Sequence, residues 1–190
     1  MTIREKKITL PTLVTLLRIL LVPFIVKAIF EHQWGTAFVL FLIAAVTDTI
    51  DGNLARFLGE QTLFGAVLDP VADKFLLLSC FLALSLAPSS FIIIPQWFFF
   101  FILGKELVIM LGALAIYLIK GSFAVRPTKL AKFTTLVQMG FILWFFLCSH
   151  FYWLPIKTFY GLLFLILLLA FGSLLQYILV GLRLLFGFLL

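Results

Sequence analysis

The sequence predicts an all-α integral membrane protein: six transmembrane helices in one bundle, with the N- and C-termini both cytoplasmic. Three observations predict it. The 190 residues are 64% hydrophobic with a mean hydropathy of +1.25, more apolar surface than a soluble domain of this length hides. Six apolar stretches reach the roughly 20 residues a helix needs to cross a bilayer. The basic residues gather at alternate breaks between those stretches, as they do when they stay on one side of a membrane. The length fits a single domain over residues 1–190, and no internal repeat or low-complexity linker divides it.

The first stretch, about 10–30, follows Arg4, Lys6 and Lys7 as the apolar core of a signal peptide does. Arg18 and Pro23 interrupt it, however, and no clear small-x-small cleavage site follows, so it reads as a retained first span. Glu31-His32-Gln33 ends it, and the second stretch, 35–57, ends at Gly59-Glu60-Gln61. The third runs over 66–88 to Pro88-Ser89-Ser90, and the fourth over 91–120 to the turn residues between Gly121 and Pro127. The fifth, 130–151, stops in the segment from His150 to Pro155, and the sixth covers 156–187. The fourth and sixth are long enough to tilt or protrude.

Arg4, Lys6, Lys7, Arg56, Lys120, Arg126, Lys129, Lys132 and Arg183 fall near the N-terminus, the 2–3 loop, the 4–5 loop or the C-terminus. The opposite loops carry little beyond Lys27 and Lys157. This bias is the first explanation of the net charge of +6. The basic residues form no continuous stripe, so no nucleic-acid partner is expected. Cys80 and Cys148 lie far apart in apolar stretches without ligand spacing and read as buried small hydrophobes.

The chain has eight acidic residues, and four of them, Asp48, Asp51, Asp69 and Asp73, fall in the facing ends of the second and third spans. A charge deep in a bilayer costs roughly 2.5–3.5 kcal/mol on insertion scales, and mutual repulsion adds to that unless cations are bound. Asp48 and Asp51 share a helix face with Gly52 and Ala55; Asp69 and Asp73 share one with Gly65 and Ala66. Antiparallel neighbours bring both pairs together at the cytoplasmic end, and the small residues leave room for a bulky ligand. Clustered carboxylates select hard cations, Mg²⁺ or Mn²⁺, and four of them suit two ions arranged for phosphoryl transfer. One carboxylate can remain free to deprotonate a hydroxyl. The competing reading makes the aspartates caps and solvated interfacial charges, with Asp69 as an N-cap and Pro70 at the first helical position.

Residues 48–73 read DTIDGNLARFLGEQTLFGAVLDPVAD. In this spacing the chain resembles the CDP-alcohol phosphatidyltransferases, with all eight signature positions filled: Asp48, Asp51, Gly52, Ala55, Arg56, Gly65, Asp69 and Asp73. The six-span layout is also similar to that family. The resemblance implies that Asp48, Asp51 and Asp69 are metal ligands and that Asp73 completes the metal site and acts as general base. It implies that Gly52, Ala55 and Gly65 line the CDP pocket and that Arg56 steadies the site or the diphosphate. The donor would be CDP-diacylglycerol, within a membrane of the bacterial inner-membrane kind. It also allows a homodimer, for which the sequence shows no face.

The stretch PTLVTLLRILLVP looks like the phosphatidylglycerophosphate synthase and eukaryotic-type cardiolipin synthase branch. Thr12 stands where Asn is common there, while Thr15 and Arg18 match; a snorkelling side chain is the other reading of Arg18. The branch usually shows Arg with Glu or Asp where this chain has Lys105-Glu106, which reads either as a structural ion pair or as a lysine facing the site. Arg126, Lys129 and Lys132 resemble the branch's basic segment entering the fifth span and make a cradle for an acceptor phosphate, or else ordinary loop charge. The implied reaction transfers phosphatidyl to glycerol 3-phosphate; phosphatidylglycerol as acceptor, giving cardiolipin, is the close competitor. An ion-coupled transporter, a structural subunit and a metal-dependent phosphatase are the rival classes. The aspartates gather at one face instead of spanning the thickness, which argues against transport.

Overall fold

The computed structural model describes residues 10–58, 63–87, 93–120, 128–153 and 155–186; at 10–14, 48–58, 63–70, 117, 119–120 and 184–186 it describes the backbone alone. These residues form six α-helices and no strand: α1 (Leu10–Phe30), α2 (Trp34–Leu58), α3 (Leu63–Leu86), α4 (Gln96–Lys120), α5 (Lys129–His150) and α6 (Ile156–Phe186). Among the described residues, three helical segments are long and apolar enough to cross a membrane: Gln96–Ile116, Lys129–His150 and Ile156–Arg183. The chain divides into two compact units, Met1–Ile94 with Ile142–Leu154, and Pro95–Phe141 with Pro155–Leu190.

In the first unit α1 packs against both α2 and α3. Its buried face is the stripe Thr15, Arg18, Val22, Ile25 and Ile29, spaced three and four residues apart as one helix face requires. Leu16, Leu17, Leu20 and Phe24 point the other way and are exposed, the arrangement expected where the surroundings are lipid. The face of α2 carries Ala37, Phe41 and Ala44, and that of α3 carries Ala72, Leu76, Cys80 and Leu84, all fully buried. Phe146 packs edge-on against Phe41 at 6.0 Å, and Phe145 against Trp34 at 6.0 Å.

Two sharp turns close this unit. After α1, the His32 amide donates to the Ile29 carbonyl at 3.1 Å and the Gln33 amide to Ala28 at 2.9 Å. After α5, Tyr152 donates to Ser149 at 3.3 Å and Trp153 to Cys148 at 3.0 Å. Both are Schellman motifs. The left-handed position, normally glycine, holds His32 at φ 57° and Tyr152 at φ 54°. His150 lies against Gly35, where a Cβ would meet the imidazole at 3.0 Å.

In the second unit α4 packs on α6. The Thr134 hydroxyl donates to the Leu130 carbonyl at 2.8 Å and approaches the Leu169 carbonyl of α6 at 3.4 Å, and Phe141 meets Phe159 at 5.8 Å. Gln138 is buried, and its amide Nε2 has no hydrogen-bond partner among the described residues.

Two helix starts lie three or more residues from those expected. The third helix begins at Leu63, so Asp69 is not its N-cap and Pro70 lies inside it. The apolar run from Leu63 carries the helix through the proline, at the loss of one backbone hydrogen bond four residues back. The fourth helix begins at Gln96, not near 91. Pro95 stands just outside it and its carbonyl accepts from the Phe98 amide at 2.9 Å, the bond of a first turn. The expected breaks at 59–61, 88–90 and 121–127 and the N-terminal Arg4, Lys6 and Lys7 lie outside the described residues.

Candidate active site

Asp48 and Asp51 lie on α2, with Gly52, Ala55 and Arg56 in the turns that follow. Gly65 and Asp69 lie in the first two turns of α3, and Asp73 one turn further on. The four aspartates thus belong to consecutive helices, towards the end of one and the start of the next, and α1 packs against both helices. Of the four side chains only that of Asp73 is among those described.

Asp73 is partly buried, 26% exposed, and accepts a hydrogen bond from Arg18 Nη1 of α1 at its Oδ1. Arg18 is 2% exposed. It reaches this position because it continues the buried stripe of α1, one step after Thr15 and one before Val22. A buried guanidinium without a counter-charge is strongly unfavourable, and so is a carboxylate in the same setting; the pair offsets both. Snorkelling towards the interface is not what the side chain does here. The ion pair was beyond local sequence spacing, because its partners are 55 residues apart. A sequence-level sign existed nonetheless: the spacing 15–18–22–25–29 puts Arg18 on the inward face.

Lys105 is 3% exposed on α4, and its Nζ lies 2.7 Å from Glu106 Oε1. Lys129 and Lys132 are exposed in the first turns of α5. Thr128 caps that helix: its hydroxyl accepts from the Ala131 amide at 3.2 Å. The Thr128 amide reaches the Tyr177 hydroxyl of α6 at 3.4 Å. No acidic residue occupies the first turn of α5, although the helix dipole favours one there; two lysines at this end instead suit an anionic visitor. Arg126 lies outside the described residues.

A donor set drawn from the aspartates of α2 and α3 would be all carboxylate, the chemistry that suits Mg²⁺ or Mn²⁺ and not a soft metal. Among the described residues no group of three or more His, Cys, Asp or Glu side chains gathers; three of the four aspartate side chains lie outside them. Cys80 and Cys148 are free and buried, as expected.

The family model for CDP-alcohol phosphatidyltransferase matches residues 8–154, a span that holds α1 to α5 and all four aspartates. The chain belongs to the CDP-alcohol phosphatidyltransferase family. Among the relatives of this phosphatidyltransferase, the CDP-diacylglycerol–glycerol-3-phosphate 3-phosphatidyltransferase of Aquifex aeolicus (strain VF5) is 36% identical over 126 residues, 66% of this chain and 68% of that one. Proteins of the same name from Salmonella choleraesuis (strain SC-B67) and Escherichia coli (strain K12) are 49% and 50% identical over 70 residues. Those two matches cover 35% of this chain and 38% of each relative.

Proposed function

We propose that this phosphatidyltransferase moves the phosphatidyl group of CDP-diacylglycerol onto glycerol 3-phosphate, giving phosphatidylglycerophosphate and CMP in phospholipid biosynthesis. The observation that carries the reading is the intact eight-residue signature on α2 and α3, with its last aspartate gripped by a buried arginine of α1. The names of the relatives support glycerol 3-phosphate as the acceptor. In this reading the six helices span the membrane as one bundle with cytoplasmic termini, and the site opens to the cytoplasm, with the donor's acyl chains left in the bilayer.

Asp48, Asp51, Asp69 and Asp73 would hold two Mg²⁺ or Mn²⁺ ions. Bound there, the cations neutralise the donor's diphosphate and stabilise the departing phosphate. Gly52, Ala55 and Gly65 leave space for the nucleotide, and Arg56 balances diphosphate charge. Arg126, Lys129 and Lys132, with Lys105, hold the acceptor phosphate. Asp73 takes the proton of the acceptor hydroxyl. The hydroxyl oxygen then forms a bond to the β-phosphorus while the bond from that phosphorus to the bridging oxygen breaks, and CMP leaves.

The test is one assay with purified protein, labelled CDP-diacylglycerol, Mg²⁺ or Mn²⁺, and either glycerol 3-phosphate or phosphatidylglycerol. CMP and phosphatidylglycerophosphate should appear with the first acceptor, and a chelator should stop both. Activity with phosphatidylglycerol alone would transfer the reading to cardiolipin synthesis. Ion flux without CMP would transfer it to transport.

A further inference from the structure

We infer that Arg18 is the resident counter-ion of Asp73, a positioning residue that competes with divalent cations for this carboxylate. The inference rests on the proposed function in placing a cation at the aspartates; the arginine's own position is observed. Arg18 sits on the ninth residue of α1, about 12 Å along the helix from its first residue. At 2% exposure it has little water to lean on, and its Nη1 donates directly to Asp73. Thr15, one turn earlier on the same buried stripe, is 1% exposed, so this strip of α1 is a polar inlay facing inward while leucines and Phe24 cover the outside.

The charge balance gives the arrangement its meaning. Without cations, Asp73 is one of four aspartates carried by α2 and α3, and Arg18 cancels its charge. When divalent ions arrive, they supply the compensation themselves, and a guanidinium in contact with a ligand carboxylate repels them. Arg18 and the cation are then alternative partners of one side chain. The arginine holds Asp73 in place before the substrate arrives and gives it up, wholly or in part, when the site is loaded. Removing the arginine should therefore tighten cation binding while harming turnover. A merely structural arginine predicts the reverse, since a disordered site binds cations more weakly.

The experiment compares wild type, Arg18→Gln, Arg18→Lys and the double variant Arg18→Gln/Asp73→Asn, each stripped with EDTA. Mn²⁺ is titrated and the free ion read by electron paramagnetic resonance, with thermal unfolding followed with and without Mn²⁺. Arg18→Gln should bind Mn²⁺ about tenfold more tightly, within the usual span of coupling between sites. It should unfold at a lower temperature than wild type in EDTA and gain more from added Mn²⁺. Its kcat should fall with little change in KM for the donor. Arg18→Lys should keep the wild-type Mn²⁺ affinity and recover part of kcat. Equal or weaker Mn²⁺ binding by Arg18→Gln overturns the inference. If that variant does not survive purification, the double variant decides: loss of both charges together should restore folding in EDTA, and failure to do so overturns the counter-ion role. Absence of CMP release by wild type would sink the proposed reaction and leave the Mn²⁺ measurements standing.

Discussion

Replacing Asp73 with Asn breaks the buried ion pair with Arg18. Asparagine keeps the size of the side chain but leaves the Arg18 guanidinium, 2% exposed, facing a neutral amide. Breaking a buried pair from one side typically costs about 3–5 kcal/mol. The Asp73 end is 26% exposed, so water offsets part of the loss, and about 2–3 kcal/mol is the working figure once exposed pairs are taken as the lower limit. For a chain of this length that is a drop of about 4–12 °C in Tm. The measurement belongs in EDTA, so that cation binding at the remaining aspartates does not add to the stability being read. The protein carries its own reporter: Cys80 and Cys148 are free and buried, so a thiol-reactive dye stays dark until the helices separate. The same variant should lose CMP release by at least about 10²-fold, the lower end of what general base catalysis contributes. An Asp73→Asn protein that melts with wild type in EDTA would refute the pair as a stabilising contact. Undiminished CMP release would remove Asp73 as the base.

Thr128→Ala should lose about 1 kcal/mol by removing the cap of α5, and Thr128→Asn should recover most of it; thermal unfolding of the three proteins measures both. Gln138→Met should raise stability by about 1 kcal/mol, because it removes a buried donor that has no partner among the described residues, and a drop in Tm would show that the amide is satisfied in the membrane. His32→Gly should stabilise by about 0.5–1 kcal/mol, since it relieves a left-handed residue; a lower Tm would mean that the imidazole's contact with Trp34, at 5.7 Å, outweighs the backbone.

Much of the fold was legible because membrane helices announce themselves by length and composition. The first apolar stretch, 10–30, coincides with α1; the fifth lies one residue off α5 at each end, and the sixth one residue off α6 at its C-terminal end. The two displaced starts both involve proline. Pro95 excludes itself from α4, while Pro70 is carried inside α3 by the run from Leu63; the residue's preference for a first turn is real but yields to a long apolar stretch. The aspartate pattern was readable because its spacing is local. The Arg18 contact was not, because it joins α1 to α3 across 55 residues. Lys105 and Glu106 are adjacent, and neighbours in a helix do not normally face each other, so their direct pairing could not be taken from helical spacing.

The turn after α1 has a mechanical consequence. Three residues separate α1 from α2; the amides of all three donate back to α1, and the Gln33 carbonyl accepts from the Ala37 amide of α2. Nothing in so short a link can stretch or unwind without breaking those bonds, so the two helices travel as a hairpin. Arg18 stands on one arm, and Asp48 and Asp51 stand on the other. A tug on the arginine is therefore also a tug on the backbone that carries these aspartates, and α1 works as a handle for the neighbouring helix as well as a wall beside it.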